Sequence, residues 1–306
     1  MKAVYTLQDL QNWPEAASDA NPPIGLGVFG DPVEHSFSPQ IQNAALKEAG
    51  IELQYAQFHI RPEELGEALQ LARKCQFVGL NLTVPHKIAA VSLMDLVDEV
   101  AEKIGAVNTI RVTDGKLVGS NTDAEGFGRA IRENFAIDLR DLRVMILGAG
   151  GAARAIAFCC ALEKCERMVI ANRDVKKAKQ LANELRDYFA GPRVLGPAAR
   201  LEAIPWDENA IRFQLANTDL VVNATPIGLR RDPSPVAART LAPHLIVFDT
   251  VYGSAKTAFI RAAEEAGARA ADGRAMLLHQ GAAAFEIWFD RAAPIDAMRE
   301  ALKTIN

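Results

Sequence analysis

Long apolar runs are missing from this chain. None reaches the length a bilayer demands, and the stretch from Met1 to Pro23 mixes acidic residues with prolines and has no apolar core. Neither a membrane span nor a secretory signal is therefore expected. A charge excess is missing too, since 34 basic residues stand against 38 acidic ones for a net of −4. General attraction to nucleic acid or a membrane surface is not expected, so any anionic ligand must be held locally. Cysteine is scarce: Cys75, Cys159, Cys160 and Cys165 lack zinc spacing. Three of them fall on one expected apolar helix, where thiols serve as small core residues, and no metal site is expected. A reducing cytoplasm suits such a chain. Internal repeats and low-complexity tracts are absent.

What is present points to an α/β enzyme. At 306 residues, nearly half of them apolar, the chain is long for one core and suggests two domains. After the polar leader, Ile24 to Phe29 reads as a buried strand that ends in the turn Gly30-Asp31-Pro32. Ser38-Pro39 has the form of an N-cap followed by proline at the first helical position, and Gly50 closes that helix. A strand at 53–60, a helix starting at Pro62 and a strand at 77–82 continue the alternation, which indicates a parallel sheet. Asp114-Gly115 reads as a hairpin turn requiring positive φ, and a helix is expected after Thr122-Asp123. From Val144 the pattern restarts, with strands at 168–171, 220–223 and 245–249. This second half reads as its own doubly wound sheet. Helices at 276–290 and 296–304 have no strand after them and are expected to pack back on the first domain.

The most specific motif is Gly148-Ala149-Gly150-Gly151-Ala152-Ala153, which lies between the apolar run Val144 to Leu147 and the apolar stretch Ala155 to Leu162. Strand, glycine turn and helix in that order suit a dinucleotide pyrophosphate. The glycines let the backbone approach the phosphates, and the helix N-terminus supplies N–H groups and positive potential. At the end of the next strand, Arg173 and Lys177 suit the 2′-phosphate of NADP. Asp174 suits a ribose hydroxyl, as in NAD, or simply caps the following helix.

In the first half, Asn81, Thr83, His86 and Lys87 gather at a strand's C-terminal end, where open α/β sheets bind ligands. The same residues could be a solvated loop. Asn121-Thr122-Asp123 occupies a similar place, with a plain N-cap as its alternative. Ser36 and Ser38 offer two hydroxyls that can hold a carboxylate, although Ser38 also has the form of a cap.

At these positions the sequence resembles the shikimate dehydrogenase family, in which quinate/shikimate dehydrogenases are close relatives. The serine loop Gly30 to Pro39, Asn81 to Lys87, Gly105 to Thr109 and Asn121 to Asp123 follow the family's order. So do the Gly148 turn, Asn172-Arg173, Asn223 to Gly228, Asp249 to Tyr252 and Gly273 to Gln280. The resemblance runs from about Leu26 to Trp288. It implies a substrate-binding domain at 1–123 plus 274–306 and a Rossmann NADP-binding domain at 124–273, with a substrate cleft completed from both. It also implies reversible oxidation of a ring hydroxyl of shikimate to the 3-dehydro ketone, in the chorismate pathway to aromatic amino acids, by a monomer or homodimer.

Carried over by position, Ser36, Ser38 and Tyr252 would meet the substrate carboxylate. Thr83, Lys87, Asn108, Asp123 and Gln280 would bind the ring hydroxyls, with Lys87 and Asp123 as the catalytic pair. Gly148, Ala149, Gly150, Gly151, Ala152, Asn172, Arg173, Asp174, Lys177, Thr250 and Gly273 would line the cofactor. The chemistry agrees with these roles, because hydride leaves more readily as the hydroxyl loses its proton, so a base must lie within hydrogen-bond reach.

Three features depart from the family pattern. Asp174 replaces a threonine frequent in NADP-using members, which keeps NAD open. Gln42 stands where histidine is frequent, and the leader to Pro23 has no counterpart in compact members. The competing readings are an NAD-dependent quinate/shikimate dehydrogenase, another two-domain dehydrogenase on the same cofactor fold, and a non-catalytic nucleotide- and metabolite-binding regulator. Retention of Lys87, Asp123 and the serine pair argues against the regulator.

Overall fold

The computed structural model describes residues 2–190, 199–229 and 233–305. They form two units, Met1–Gly126 with Leu277–Asn306, and Phe127–Met276.

The first unit runs β1 (Tyr5–Thr6), α1 (Leu7–Gln11), α2 (Trp13–Ala16), β2 (Ile24–Gly30), α3 (Ser38–Glu48), β3 (Gln54–His59), α4 (Leu65–Lys74) and β4 (Gly79–Leu82). It continues with α5 (His86–Ala89), β5 (Leu96–Val97), α6 (Glu99–Ile104), β6 (Thr109–Thr113), β7 (Lys116–Ser120) and the start of α7 (Asp123–Phe135). Its sheet has the order β1-β3-β2-β4-β6-β7-β5. β2 lies inside the sheet and every one of its residues is buried, which is why Ile24 to Phe29 reads as an apolar run without alternation. The expected parallel arrangement holds for β1 to β4 and again where β5 pairs with β7, and the expected hairpin at Asp114 (φ 49°) and Gly115 (φ 70°) sets β6 and β7 antiparallel. β6 also pairs antiparallel with β4.

The leader is part of this core. β1 pairs in parallel with β3, Tyr5 opposite Phe58 and Thr6 opposite His59. Tyr5, Leu10 and Trp13 are buried against Phe29, Phe58 and Phe77, with ring centroids 5.4 Å apart for Tyr5 and Phe58 and 5.3 Å for Trp13 and Phe77. Three apolar side chains spaced among polar ones make a segment that reads as polar on average yet supplies a packing face.

The second unit follows with β8 (Arg143–Leu147), α8 (Gly151–Leu162), β9 (Arg167–Asn172), α9 (Val175–Glu184), β10 (Leu201–Pro205), α10 (Glu208–Leu215) and β11 (Leu220–Asn223). Then come β12 (Ile246–Asp249), α11 (Ala258–Glu265), β13 (Arg269–Ala271) and the start of α12 (Arg274–Phe289). The strand order is β10-β9-β8-β11-β12-β13 and all pairs are parallel. The order reverses at β8 and β11, the switch point where doubly wound sheets bind dinucleotides. β10 and β13 lie at the sheet edges, where less deeply buried strands leave little sequence signal.

The remainder of α12 and α13 (Ile295–Lys303) belong to the first unit. Cys159 and Cys160 are buried in α8, but Cys165 follows that helix instead of lying on it. All four cysteines are unpaired. Burial raises the Cys159 and Cys165 thiols to about 12, as inert core residues require. No helix among the described residues is long and apolar enough to cross a membrane.

Candidate active site

In the first unit the site is assembled at the C-terminal ends of β2 and β4. The loop after β4 is stitched to β2 by two backbone bonds, Thr83 N–H to Phe29 O and Asp31 N–H to Val84 O, each 2.9 Å. Gly30 is needed beside Thr83, whose methyl occupies the place a Cβ would take. His86 is buried, and its Nε2 donates to Ile60 O at 2.8 Å, which pins the start of α5. Burial lowers the His86 pKa, keeping the ring neutral for that role. Lys87 therefore projects from a fixed helical turn, and its own carbonyl receives Val107 N–H at 2.8 Å. This is an anchored site, not a solvated loop.

Lys87 Nζ lies 2.6 Å from Asp123 Oδ2, with the carboxylate only 4% exposed and the lysine side chain 15% exposed. The other carboxylate oxygen accepts from Asn108 Nδ2 at 3.0 Å. Asn108 Nδ2 also reaches Gln280 Oε1 at 3.3 Å, and Gln280 Nε2 donates to Leu277 O at 3.0 Å. α7 and α12 can approach this closely because Gly126 has no side chain; a Cβ there would lie 2.9 Å from Gln280 N. Asp123 is the first residue of α7, and its N–H donates to Asn121 Oδ1 at 3.0 Å. Position and pairing thus go together: Asn121 holds the turn that leads into α7 while the Asp123 carboxylate is kept for Lys87.

Ser38 is the first residue of α3 and Phe37 occupies the cap position, so the capping role expected of Ser38 is not what the structure shows. The two serines instead face each other: Ser36 Oγ donates to Ser38 Oγ at 3.0 Å and accepts from Ser38 N–H at 3.3 Å. Gln57 Nε2 holds the loop through Ser36 O at 2.9 Å and Val33 O at 3.2 Å. Gln42 is buried on α3 and donates to Gly281 O at 2.9 Å, next to Gln280 on α12.

In the second unit, α8 begins at Gly151 with Gly150 in the cap position. Gly148 has φ +118°, and a Cβ on it would lie 2.8 Å from Ala224 O, so the turn itself requires glycine there. Gly150 is glycine for a different reason. A Cβ on it would meet nothing within 4 Å, so its absence leaves open space in front of a helix N-terminus, as a pyrophosphate needs. Arg173, just after β9, and Lys177, in the first turn of α9, are both exposed. Asp174 is the N-cap of α9, its carboxylate accepting from Lys176 N–H at 3.0 Å, while its carbonyl accepts from Asn172 Nδ2 at 2.9 Å. Of its two readings, the cap is the one seen. The residues present suit a dinucleotide with a 2′-phosphate.

Asn223 and Asp249 organise the ends of β11 and β12. Asn223 Nδ2 donates to Asp249 Oδ1 at 2.8 Å and to Ile227 O at 3.0 Å. Asp249 also accepts from Thr257 Oγ1 at 2.6 Å and Val251 N–H at 3.1 Å. Burial nevertheless raises its pKa to about 6. Thr250 N–H bonds to Asn223 O at 3.0 Å, and the carbonyl of Thr250 fills the place of a Gly273 Cβ, so Gly273 has to be glycine. Tyr252 is half-buried in the loop after β12, within this unit.

Behind Asn108 lie three side chains to which the sequence assigned no role: Thr109 and Thr122, which bond to its amide, and Tyr55, which bonds to Asn81. Thr109 and Thr122 stood inside the motifs; Tyr55 left no signal beyond its strand.

Comparison with known proteins agrees with this geometry. The family models for the shikimate dehydrogenase substrate binding domain, shikimate / quinate 5-dehydrogenase and the shikimate 5'-dehydrogenase C-terminal domain match residues 28–110, 130–194 and 273–303. The shikimate dehydrogenase (NADP(+)) of Methanopyrus kandleri is 46% identical over 280 residues, which cover 90% of this chain and 94% of that one. A shikimate dehydrogenase solved in complex with NADP+ aligns with a TM-score of 0.81 at 36% identity, covering 92% of this chain and 95% of the other. The shikimate 5-dehydrogenase of Thermus thermophilus, in complex with NADP(H) and shikimate, aligns with a TM-score of 0.76 at 36% identity, over 92% and 98%. Likeness of this degree across both units goes beyond a shared fold, and the chain belongs to the shikimate dehydrogenase family.

Proposed function

We propose that the protein catalyses the reversible, NADPH-dependent reduction of 3-dehydroshikimate to shikimate, a step of aromatic amino acid biosynthesis in the cytoplasm. The observation that carries the reading is the ion pair of Lys87 with the buried Asp123 at 2.6 Å, tied to Asn108 and Gln280.

In the direction of reduction the substrate carbonyl oxygen gains negative charge as its carbon accepts hydride. Lys87 gives that oxygen a proton and takes it back in the reverse direction. Asp123 orients the ammonium, and its second oxygen, which Asn108 Nδ2 holds in place, accepts from a neighbouring ring hydroxyl. Thr83 and Gln280 bind further hydroxyls, and the facing Ser36 and Ser38 hydroxyls donate to the substrate carboxylate. These neutral donors hold an anion without a competing cation beside Lys87. When bound, the dinucleotide supplies hydride from its nicotinamide ring. The Gly148 to Ala152 turn would hold its pyrophosphate, with Asn172, Thr250 and Gly273 lining the cofactor. Arg173 and Lys177 would meet the 2′-phosphate, and Asp174 is occupied as a cap and does not oppose it.

Initial rates with shikimate or quinate, each with NADP or NAD, test the proposal. The expected result is the largest kcat/KM for shikimate with NADP, and in Arg173→Ala a loss of at least ~10-fold with NADP but little change with NAD. A larger kcat/KM for quinate with NAD overturns it.

A further inference from the structure

Asn108 has a planar amide whose two ends differ: its N–H groups donate and its oxygen accepts. Turned over, it would set an acceptor against the carboxylate of Asp123. A chain of buried groups behind it fixes which way it faces, and none of them is among the substrate-contacting residues of the proposed function.

The direction of each bond follows from groups that have only one role. The backbone carbonyl of Asn108 can only accept, so Asn81 must present Nδ2 to it, at 3.2 Å. The same Nδ2 lies 3.1 Å from Thr109 Oγ1, which makes the threonine oxygen an acceptor there and leaves its single proton for elsewhere. Of the two acceptors in reach, Asn108 Oδ1 at 3.0 Å is nearer than Thr122 Oγ1 at 3.2 Å, and we assign the proton to the amide oxygen. Asn81 Oδ1, now facing away, accepts from the Tyr55 hydroxyl at 2.8 Å. The Thr122 N–H, a pure donor, also meets Asn108 Oδ1, at 2.8 Å. Asn108 Nδ2 is left to face Thr122 Oγ1 at 2.9 Å and Asp123 Oδ1 at 3.0 Å. Tyr55, Asn81, Asn108, Thr109, Thr122 and Asp123 are all buried, so water does not compete for these bonds and the network is satisfied throughout.

We infer that Tyr55, Asn81 and Thr109 are positioning residues, a relay of hydrogen bonds that fixes the amide of Asn108 toward Asp123 and so toward the substrate. The relay runs across three strands, from β3 through β4 to β6. Thr109 is the link between the two amides, because its one hydroxyl both accepts from Asn81 and donates to Asn108, beside the Thr122 N–H. The functional consequence rests on the proposed dehydrogenase reading.

The test compares Thr109→Val, Thr109→Ser and Tyr55→Phe with the wild type. Valine matches threonine in shape but lacks the hydroxyl; serine keeps the hydroxyl and loses the methyl. Thr109→Val is expected to lower kcat/KM for shikimate about tenfold with KM for NADP unchanged, as suits one lost orienting bond. Thr109→Ser is expected to recover to within about twofold, and Tyr55→Phe, at the far end, to lose about threefold. In parallel, the Asn108 side-chain amide signals of 15N-labelled protein should shift and exchange faster in Thr109→Val but not in Thr109→Ser. A folded Thr109→Val with wild-type rates and an unchanged Asn108 signal overturns the relay, as does a serine variant as impaired as valine. A wild type inactive on shikimate overturns the dehydrogenase reading instead, and the Asn108 signals still decide the relay. Should Thr109→Val fail to fold, Tyr55→Phe decides: unchanged rates and an unchanged Asn108 signal there overturn the relay.

Discussion

Asp249 lies at the end of β12, fully buried, with Thr257, Val251 and Asn223 all donating to it. Desolvation is the largest influence on it and outweighs those three bonds, with the nearby Asp272 adding to the rise; its pKa moves from 3.8 to about 6. The sign follows directly. Between those two values the folded chain holds a proton that the unfolded chain has released, so stability is highest at low pH and is lost as pH rises through about 6. A gap of about two units corresponds to about 3 kcal/mol in total. Roughly half of it, about 1.5 kcal/mol, is lost between about pH 5 and pH 8.

Asp249→Asn removes the charge and keeps the shape. Asparagine still accepts from Asn223 and Val251, but its Nδ2 faces Thr257 Oγ1, which costs about 1 kcal/mol at every pH. The charge therefore shows only in how the cost changes with pH. Relative to wild type, Asp249→Asn should gain about 1.5 kcal/mol on going from about pH 5 to pH 8. Native-state hydrogen exchange at the Val221, Val222, Val247 and Phe248 amides, corrected for intrinsic rates, reads this locally and does not require the whole chain to unfold in one step. A difference independent of pH, or one of opposite sign, would refute the assignment of desolvation as the dominant influence.

Two further substitutions separate binding from folding and from chemistry. Gly150→Val adds atoms to space that is open in the protein; it should leave Tm nearly unchanged and weaken NADPH, followed by its fluorescence, by at least ~10-fold. Gly148→Ala, at φ +118° and against Ala224 O, should instead lower Tm by several degrees, roughly 1–3 kcal/mol of strain. For Lys87→Ala, steady-state rates should show kcat down by at least ~10² with KM for shikimate changed only modestly; unchanged turnover removes Lys87 from the proton transfer.

The second unit was legible because its signals are local: a buried strand, a glycine turn and an apolar helix occur in one stretch from Val144 to Leu162, and the strand order follows from the βαβ rule. The residues proposed to meet substrate were legible as motifs, several of them after a strand, though Ser38 and Gln280 lie on helices. Their mutual geometry was not, because Asn108 is separated from Gln280 by 172 positions and no spacing in the chain encodes such a contact. The role of Ser38 was misread for a related reason. Serine before proline has the form of a cap, but the Ser36 hydroxyl accepts the Ser38 N–H and the helix starts one residue earlier. β10, at 201–205, carries only one buried residue among its five, too little alternation to stand out. Asp174 was ambiguous by nature, since the same carboxylate at the same position can cap a helix or meet a ribose.

The short strand at Tyr5 and Thr6 bears on where this polypeptide can be cut. The family model for the substrate-binding domain begins at residue 28, inside β2, and a truncation that kept that strand whole but removed everything before Ile24 would look harmless on the strength of the relatives. It would strip the outer partner from β3, leaving a row of unpaired backbone groups and uncovering Phe58 and Phe77. His59, the last residue of β3, bonds to Asp31 at the mouth of the serine loop, so damage at that border would reach toward the substrate groups. The folding unit of this enzyme is thus expected to include residues that the family model leaves out. Its extra residues act as selvedge, the woven border that keeps a fabric from unravelling.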